Sequence, residues 1–150
     1  MAAEDSGCVF CKIARRQLPA SVVYETDDVI AFLDSHPLFP GHVLLCPREH
    51  CSTLMDVPKN LSGALMDATQ LLAGAVESAM SAEGTFIAVN NRVSQTVPHL
   101  HIHVVPRRRG DGLRGFFWPR NRYKDDTARE AARTAIEREV QQRLRQNASG

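Results

Sequence analysis

The sequence predicts an α+β fold in which an antiparallel five-stranded sheet packs with one long helix and a C-terminal helix. Five short runs rich in β-branched and aromatic residues lie between residues 22 and 105. One long repeat of leucine and alanine, residues 60–82, interrupts them. Strands grouped around a single long helix favour an antiparallel sheet over alternating βαβ units.

The first half of the chain predicts a short helix and three strands. The helix, residues 9–16, ends before Pro19. The strands are indicated by β-branched and aromatic runs, which a polar hairpin signal and the Pro40-Gly41 turn separate. These strands are expected at residues 22–24, 29–33 and 42–46.

The second half predicts two helices and two strands. Leucine and alanine recur at helical spacing over residues 60–82, and Gly84 follows as a stop signal. A fourth strand is expected at residues 86–90, and the fifth contains a run of alternating histidines near residue 100. Residues 125–146 are rich in arginine, glutamate and alanine, which favours a charged C-terminal helix.

Composition favours a single globular domain over residues 1–150. The 43% hydrophobic content supports a core, and a net charge of +1 argues against a generally basic nucleic-acid-binding protein. We find no apolar run long enough to cross a membrane and no signal-peptide pattern, so the expected location is cytoplasmic. In a reducing compartment, the four cysteines are better explained as thiols or metal ligands than as disulfides.

The histidine run is the most informative feature of the chain. His99, His101 and His103 alternate with Leu100 and Ile102. In a regular strand the three imidazoles would share one face, about 6–7 Å apart, while the apolar residues enter the core. Imidazole titrates near neutral pH and serves as nucleophile, acid, base or metal ligand.

A second candidate site is the pair Cys8 and Cys11. This C-x2-C spacing lets two thiolates grip one zinc ion. It also occurs in redox pairs, and it can be incidental. A closed zinc site needs two more ligands, and spacing alone does not choose among the candidates His36, His50, Cys51 and the histidine run.

Several motifs, taken together, resemble the histidine triad nucleotide-binding family. The histidine run follows Gln95-Thr96-Val97-Pro98, and residues 40–50 match the family's G-H-x-L-x-x-P-x-x-H stretch. Residues 8–13 look like the opening of many bacterial members, and residues 29–34 look like a nucleoside-contacting strand. The resemblance covers residues 8–106, leaving 107–150 as a C-terminal extension.

The resemblance implies a covalent mechanism. His101 would attack the α-phosphorus of a nucleoside phosphoramidate or dinucleoside polyphosphate, and water would hydrolyse the nucleotidyl-histidine. The His99 carbonyl would fix the tautomer of His101. His103 would contact phosphate oxygens and the leaving atom, with His42 in support. Phosphate instead of water as the final acceptor, which would make the protein a phosphorylase, stays open.

The resemblance also implies nucleotide contacts, with a purine as the favoured base. Asp34 would accept hydrogen bonds from the ribose hydroxyls, and Phe32 would flank the nucleoside. Three neutral side chains match phosphate-contacting positions, although their loop lacks the glycines of many members. These residues are Asn90, Gln95 and Thr96.

Members with an N-terminal C-x2-C resemble a zinc-bearing subgroup of the family. Their ligands correspond here to Cys8, Cys11, His50 and His99, which would form a structural zinc site. A regular strand would instead place His99 beside His101, so we expect the backbone near Pro98 to turn the His99 side chain away. Members of the family form homodimers, which predicts a sheet extended by dimerisation.

The segment from Arg107 to Arg120 supports a rival interpretation. Clustered arginines and aromatic residues can bind single-stranded nucleic acid. The chain would then be a zinc-stapled nucleotide- or RNA-binding module with little catalytic activity. The simpler interpretation is that the aromatics pack in the C-terminal region or a dimer interface, where Trp118 would help to shape the partner's pocket, and nucleic acid is not an expected partner.

Overall fold

The computed structural model describes residues 7–113 and 121–150, and it confirms the predicted α+β fold with an antiparallel five-stranded sheet. The chain divides into two compact units, one ending at Asp111 and the other beginning at Gly112. The helices are α1 (Val9–Ala14), α2 (Lys59–Ala79) and α3 (Asp126–Ala148), with a short 3-10 turn at Leu54–Asp56. The strands are β1 (Val22–Glu25), β2 (Val29–Leu33), β3 (Val43–Pro47), β4 (Gly84–Ala88) and β5 (Ile102–Arg107).

The sheet places β5, which carries His103, between β3 and β4. Its strand order is β1-β2-β3-β5-β4, and every neighbouring pair is antiparallel. β3 pairs with β5 so that Leu44 lies opposite His103. Because β2 and β3 are buried over almost their whole length, the sheet is a rigid base for side chains that β5 presents.

Two apolar clusters cover the two faces of the sheet. α2 contributes one stripe to the first cluster, which holds Leu65, Leu72, Leu100 and Val104. Phe10 and Ile13 of α1 join Phe32 and Leu44 in the second. Burying a large apolar side chain stabilises a fold by about 1.5–3 kcal/mol. Packing therefore fixes the short α1 helix, although it is too short to be stable alone.

The element boundaries differ from the predicted ones at several turns. The long helix ends at Ala79 instead of residue 82, because Ser81 adopts a left-handed conformation with φ of 50°. Gly84, which the sequence indicates as a helix stop, is the first residue of β4. The short helix ends at Ala14, and β3 begins one residue after His42.

The second unit contains helix α3. The Asp125 side chain accepts a hydrogen bond from the Ala128 backbone N–H at 2.7 Å and caps the first turn. Arg133 pairs with Glu130 and Glu137 along the helix surface. No residue of α3 is buried among the described residues. None of the described helices combines the length and apolar character needed to cross a membrane.

Candidate active site and metal centre

Of the three histidines only His103 lies within β5, and the expected turning of the His99 side chain towards the candidate metal ligands is present. β5 begins only at Ile102, after His99 and His101. The Leu100 N–H donates to the Cys51 carbonyl at 2.7 Å, which ties this segment to a neighbouring loop instead of a regular ladder. His99 is fully buried with its ring beside the thiols of Cys8 and Cys11. His101 and His103 remain together, with ring centroids 4.9 Å apart.

His101 is held in one orientation by the backbone. Its Nδ1 lies 2.7 Å from the His99 carbonyl oxygen, which can only accept a hydrogen bond. Nδ1 therefore carries the proton of the neutral ring, and Nε2 keeps its lone pair. The Phe10 ring packs edge-on against the imidazole at a centroid distance of 5.1 Å. The result is a buried, oriented imidazole with one nitrogen available as a nucleophile.

His103 is paired with His42 behind it. The Nε2 of His42 lies 2.9 Å from the Nδ1 of His103. Burial is the main cause that lowers the pKa of both rings, and it lowers the pKa of His103 to about 4. The charge of His101 contributes to the lowered pKa of both rings, and Asp34 opposes it. Both rings are therefore neutral at pH 7.

This pairing predicts a dependence of stability on pH. The unfolded chain binds protons on these histidines near pH 6.5, whereas folded His103 binds one only near pH 4. The contribution of His103 to the free energy of unfolding should be level above about pH 6.5 and should fall as the pH drops from about 6.5 towards about 4. Urea unfolding of wild type and His103→Asn over this range tests it, with the exposed His36→Asn as control. Equal slopes for wild type and His103→Asn would contradict the assignment.

A cleft of about 1120 Å³ opens beside the two imidazoles. Phe32 and Leu33 contribute apolar surface, and Asp34 lies at the end of the same strand. Asp34 Oδ1 accepts the His36 N–H at 2.9 Å, and Oδ2 lies 3.7 Å from His42 Nδ1. The Asp34 side chain is 20% exposed, so the carboxylate is accessible from the cleft while the turn contact holds it in place.

The predicted phosphate-contacting residues separate into two groups. Thr96 lines the cleft together with His101 and His103. Gln95 instead ties its loop down: its amide nitrogen donates to the Ser52 carbonyl at 2.6 Å, and its side-chain oxygen accepts the Arg92 N–H at 2.8 Å. The Asn90 amide donates to the Ser94 carbonyl. A phosphate contact by either amide would require these hydrogen bonds to rearrange.

Four side chains that could hold a metal ion converge at the start of α1. The Cys8 thiol lies 3.3 Å from His99 Nδ1, and the Cys11 thiol lies 3.3 Å from His50 Nδ1. All four ligand atoms are within 4.8 Å of one another. Tetrahedral zinc with ordinary bond lengths separates sulfur from nitrogen by about 3.5 Å. The His99 Nε2 lies 2.8 Å from the Pro47 carbonyl, which leaves Nδ1 for a metal.

The remaining cysteines lie outside this cluster. Cys46 is fully buried, and burial raises the pKa of its thiol well above the usual range. Burial likewise raises the pKa of Cys51, with further contributions from Glu49 and Asp56. High thiol pKa values disfavour the reactive thiolate. All four cysteines of the chain are free of disulfides.

The arginine-rich segment is described only in part. Arg107 pairs with Asp111, and Arg108 donates to the Met80 carbonyl at 2.7 Å. These contacts direct two of the clustered guanidinium groups to partners within the fold. The aromatic part of the segment, including Trp118, lies outside the described residues.

Two features of the site were not predicted from the sequence. Phe10 contacts Phe32, His99 and His101 edge-on. It therefore lies between the four candidate metal ligands and the cleft. Its position between the two cysteines was the available signal. The second is the backbone N–H of Leu38, which lies 3.1 Å from His42 Nδ1. A backbone donor leaves no signal in side-chain patterns.

Comparison with known proteins places this arrangement among its relatives. Residues 15–110 match the sequence profile described as the HIT domain. Adenylylsulfatase HINT3 of Arabidopsis thaliana is 36% identical over 108 residues, covering 71% of this chain, which spans 55% of that protein. Adenosine 5'-monophosphoramidase HNT1 of Saccharomyces cerevisiae is 34% identical over 106 residues, covering 69% of this chain and 65% of that protein.

A solved structure shows that the similarity extends to the three-dimensional fold. The crystal structure described as a Zn-bound histidine triad family protein from Mycobacterium smegmatis superposes with a TM-score of 0.68 at 34% identity. The match covers 87% of this chain and 96% of that one. The similarity therefore extends beyond the histidine run to most of the chain.

Proposed function

This chain belongs to the HIT, or histidine triad, family, and from that premise we propose that it cleaves nucleotides at the α-phosphorus through a covalent nucleotidyl-histidine. The single observation that carries the proposal is the state of His101. Its Nδ1–H is committed to the His99 carbonyl at 2.7 Å, so Nε2 is a free nucleophile in the wall of a large cleft. A positioned neutral imidazole is suited to nucleophilic catalysis.

The reaction would proceed in two displacements. In the first, His101 Nε2 forms a bond to phosphorus and the bond to the leaving group breaks; the leaving group takes the bonding electrons and, where it is an amine, a proton from solvent. The His99 carbonyl stabilises the positive charge that the imidazole acquires. In the second, water attacks phosphorus and gives a proton to solvent, the phosphorus–nitrogen bond breaks with its electrons returning to Nε2, and neutral His101 is restored. His103, on the same side of the cleft, would donate a hydrogen bond to the leaving atom and to developing charge on phosphate oxygens.

The leaving group is suggested by the relatives. One is named as an adenylylsulfatase and another as an adenosine 5'-monophosphoramidase. We therefore expect compounds in which the AMP phosphorus is bonded to nitrogen or to a sulfate oxygen to be better substrates than esters of AMP. Turnover of an adenosine phosphoramidate, adenylyl sulfate and a diadenosine polyphosphate, each with and without inorganic phosphate, tests this. Release of AMP alone supports a hydrolase, phosphate-dependent ADP formation indicates a phosphorylase, and no turnover of any compound contradicts the proposal.

Asp34 is proposed to bind the ribose. Its carboxylate can accept charge-assisted hydrogen bonds from both hydroxyls, and such bonds contribute roughly 1.5–3 kcal/mol. Asp34→Ala should therefore weaken AMP binding by about ten- to a hundredfold. It should affect 2′,3′-dideoxyadenosine monophosphate much less, since that ligand offers no hydroxyl. Calorimetric titration of both ligands against both proteins provides the comparison.

A second variant separates this role from the turn contact of Asp34. Asp34→Asn keeps a side-chain oxygen that can accept the His36 N–H, but it removes the charge. It should retain the turn and still lose much of the preference for the ribonucleotide. Equal losses of affinity for both ligands in both variants would mean that Asp34 only shapes the turn.

The group of Cys8, Cys11, His50 and His99 is proposed to hold one structural zinc ion. The donor set of two thiols and two imidazoles is typical of closed structural zinc sites. Zinc bound there would join α1, the His50 loop and the segment before β5, and its four ligands would leave no position for substrate. Its contribution to activity would be to hold the His99 backbone in place beneath His101.

We also propose a homodimer that works in the cytoplasm. β4 forms one edge of the described sheet, and Ile87 on it is 41% exposed. An open edge strand is suited to pairing with a second copy. Thiol ligands need a reducing setting to stay available for metal. Sedimentation measurements would test the dimer, and a monomer at micromolar concentration would contradict it.

A further inference from the structure

The turn between β2 and β3 places a backbone donor behind the histidine pair. We infer that the N–H of Leu38 is a positioning group: acting through His42, it makes His103 a hydrogen-bond donor towards the leaving group. This inference rests on the proposed function for its catalytic consequence. Its structural part, the tautomer of each ring, stands on the hydrogen bonds alone.

The first step is the contact between Leu38 and His42. The Leu38 nitrogen lies 3.1 Å from His42 Nδ1. A backbone N–H can only donate, so His42 Nδ1 must accept and carries no hydrogen. A neutral His42 then keeps its single proton on Nε2.

In the second step, the tautomer of His42 determines the tautomer of His103. His42 Nε2 lies 2.9 Å from His103 Nδ1. Because His42 Nε2 carries the hydrogen, His103 Nδ1 accepts it, and the proton of His103 resides on Nε2. His103 therefore presents N–H at its remaining nitrogen. His101 has the opposite arrangement, with Nδ1–H bonded to the His99 carbonyl and a lone pair on Nε2.

The backbone conformation of the turn holds the Leu38 N–H in place. The His42 N–H donates to the Phe39 carbonyl at 3.1 Å, and the His42 carbonyl accepts the Asp34 N–H at 2.9 Å. Gly41 has φ of 93°, and a Cβ there would lie 2.5 Å from Cγ of Met80. Only glycine fits the turn in this conformation.

Without the Leu38 N–H, the charges around His42 would favour the other tautomer of that ring. The Asp34 carboxylate lies 3.7 Å from His42 Nδ1 and favours a proton on that nitrogen. The charge of His101 disfavours the positive form of His42, and His103 contacts His42 at its other ring nitrogen, Nε2. A hydrogen on Nδ1 would point at the Leu38 N–H, so the backbone donor opposes the effect of Asp34. The Leu38 side chain is 52% exposed, which leaves the N–H as its contribution to the site.

The test removes this N–H and reads the tautomers directly. Leu38→Pro lacks the hydrogen, whereas Leu38→Ala retains it and is the matched control. ¹⁵N NMR of histidine-labelled protein should show protonated Nε2 on His42 and His103 in wild type and in Leu38→Ala. Leu38→Pro should populate the other tautomer of His42. Its kcat should fall on the order of tenfold with little change in KM, because one hydrogen bond biases such an equilibrium by about that factor.

A second replacement covers the case in which proline disturbs the turn. The α-hydroxy analogue of leucine at position 38 exchanges N–H for oxygen and preserves the chain geometry. Protonated Nδ1 on His42 in the wild type would overturn the inference, as would wild-type tautomers and kcat in the α-hydroxy protein. Because the tautomers are measured without substrate, failure of the proposed function would appear separately as absence of turnover.

Discussion

Replacement of His101 by glycine or alanine is expected to lower turnover by at least about a thousandfold, because removal of a nucleophile costs orders of magnitude. The loss should be in kcat. The cleft residues proposed to contact the nucleoside remain, so nucleotide binding should be largely intact. Single-turnover rates and calorimetric titration of AMP on the same samples check both parts.

The glycine variant offers an internal control for this result. It leaves space for free imidazole, which should restore part of the turnover if the chemistry needs an imidazole nitrogen at that position. His36→Gly removes a histidine from the rim of the same cleft and should show no such rescue. Activity of either His101 variant within about tenfold of wild type would eliminate His101 as the nucleophile.

Loss of the metal is expected to have the largest effect on stability. Protein purified without added metal should contain one zinc ion per chain, and Cys8→Ser should lose it. Structural zinc contributes many kcal/mol in small domains. A loss of 1 kcal/mol in the free energy of unfolding lowers Tm by about 2–4 °C for chains of this size or somewhat longer. We therefore expect Tm to fall by roughly 10 °C or more.

Cys51→Ser is the matched control, because Cys51 is also buried but lies outside the four-ligand cluster. It should keep the full zinc content. Elemental analysis and thermal unfolding of the three proteins decide the matter. Fully folded wild type that contains no zinc would refute the site. Unchanged turnover of Cys8→Ser at a permissive temperature would show that zinc has a structural role only.

The sequence was sufficient for the architecture because its signals are repeated. The apolar stripe of α2 and the β-branched runs of β2 and β3 each depend on several residues, so one irregular position does not hide them. Their ends depend on single residues instead. Ser81 ends a helical pattern through its own left-handed conformation, which leaves Gly84 free to begin β4.

The site was harder to predict because tertiary contacts override local periodicity there. Alternation alone puts His99 beside His101. In the structure the Leu100 N–H bonds to the Cys51 carbonyl, and His99 faces the Cys8 and Cys11 thiols. The resemblance to zinc-bearing relatives, together with the backbone restriction at Pro98, gave the reason to expect that turn. The contacts of the Gln95 amide also join distant segments, which no spacing in one sequence reveals.

The proposed reaction is a double displacement at phosphorus, and its stereochemistry distinguishes this from direct hydrolysis. A single diastereomer of an adenosine thiophosphoramidate, turned over in ¹⁸O-labelled water, gives a thiophosphate product whose configuration is measurable. Two successive in-line displacements each invert the phosphorus centre, so overall retention of configuration is expected. Inversion would mean that water attacks the substrate directly, and would contradict a covalent intermediate on His101.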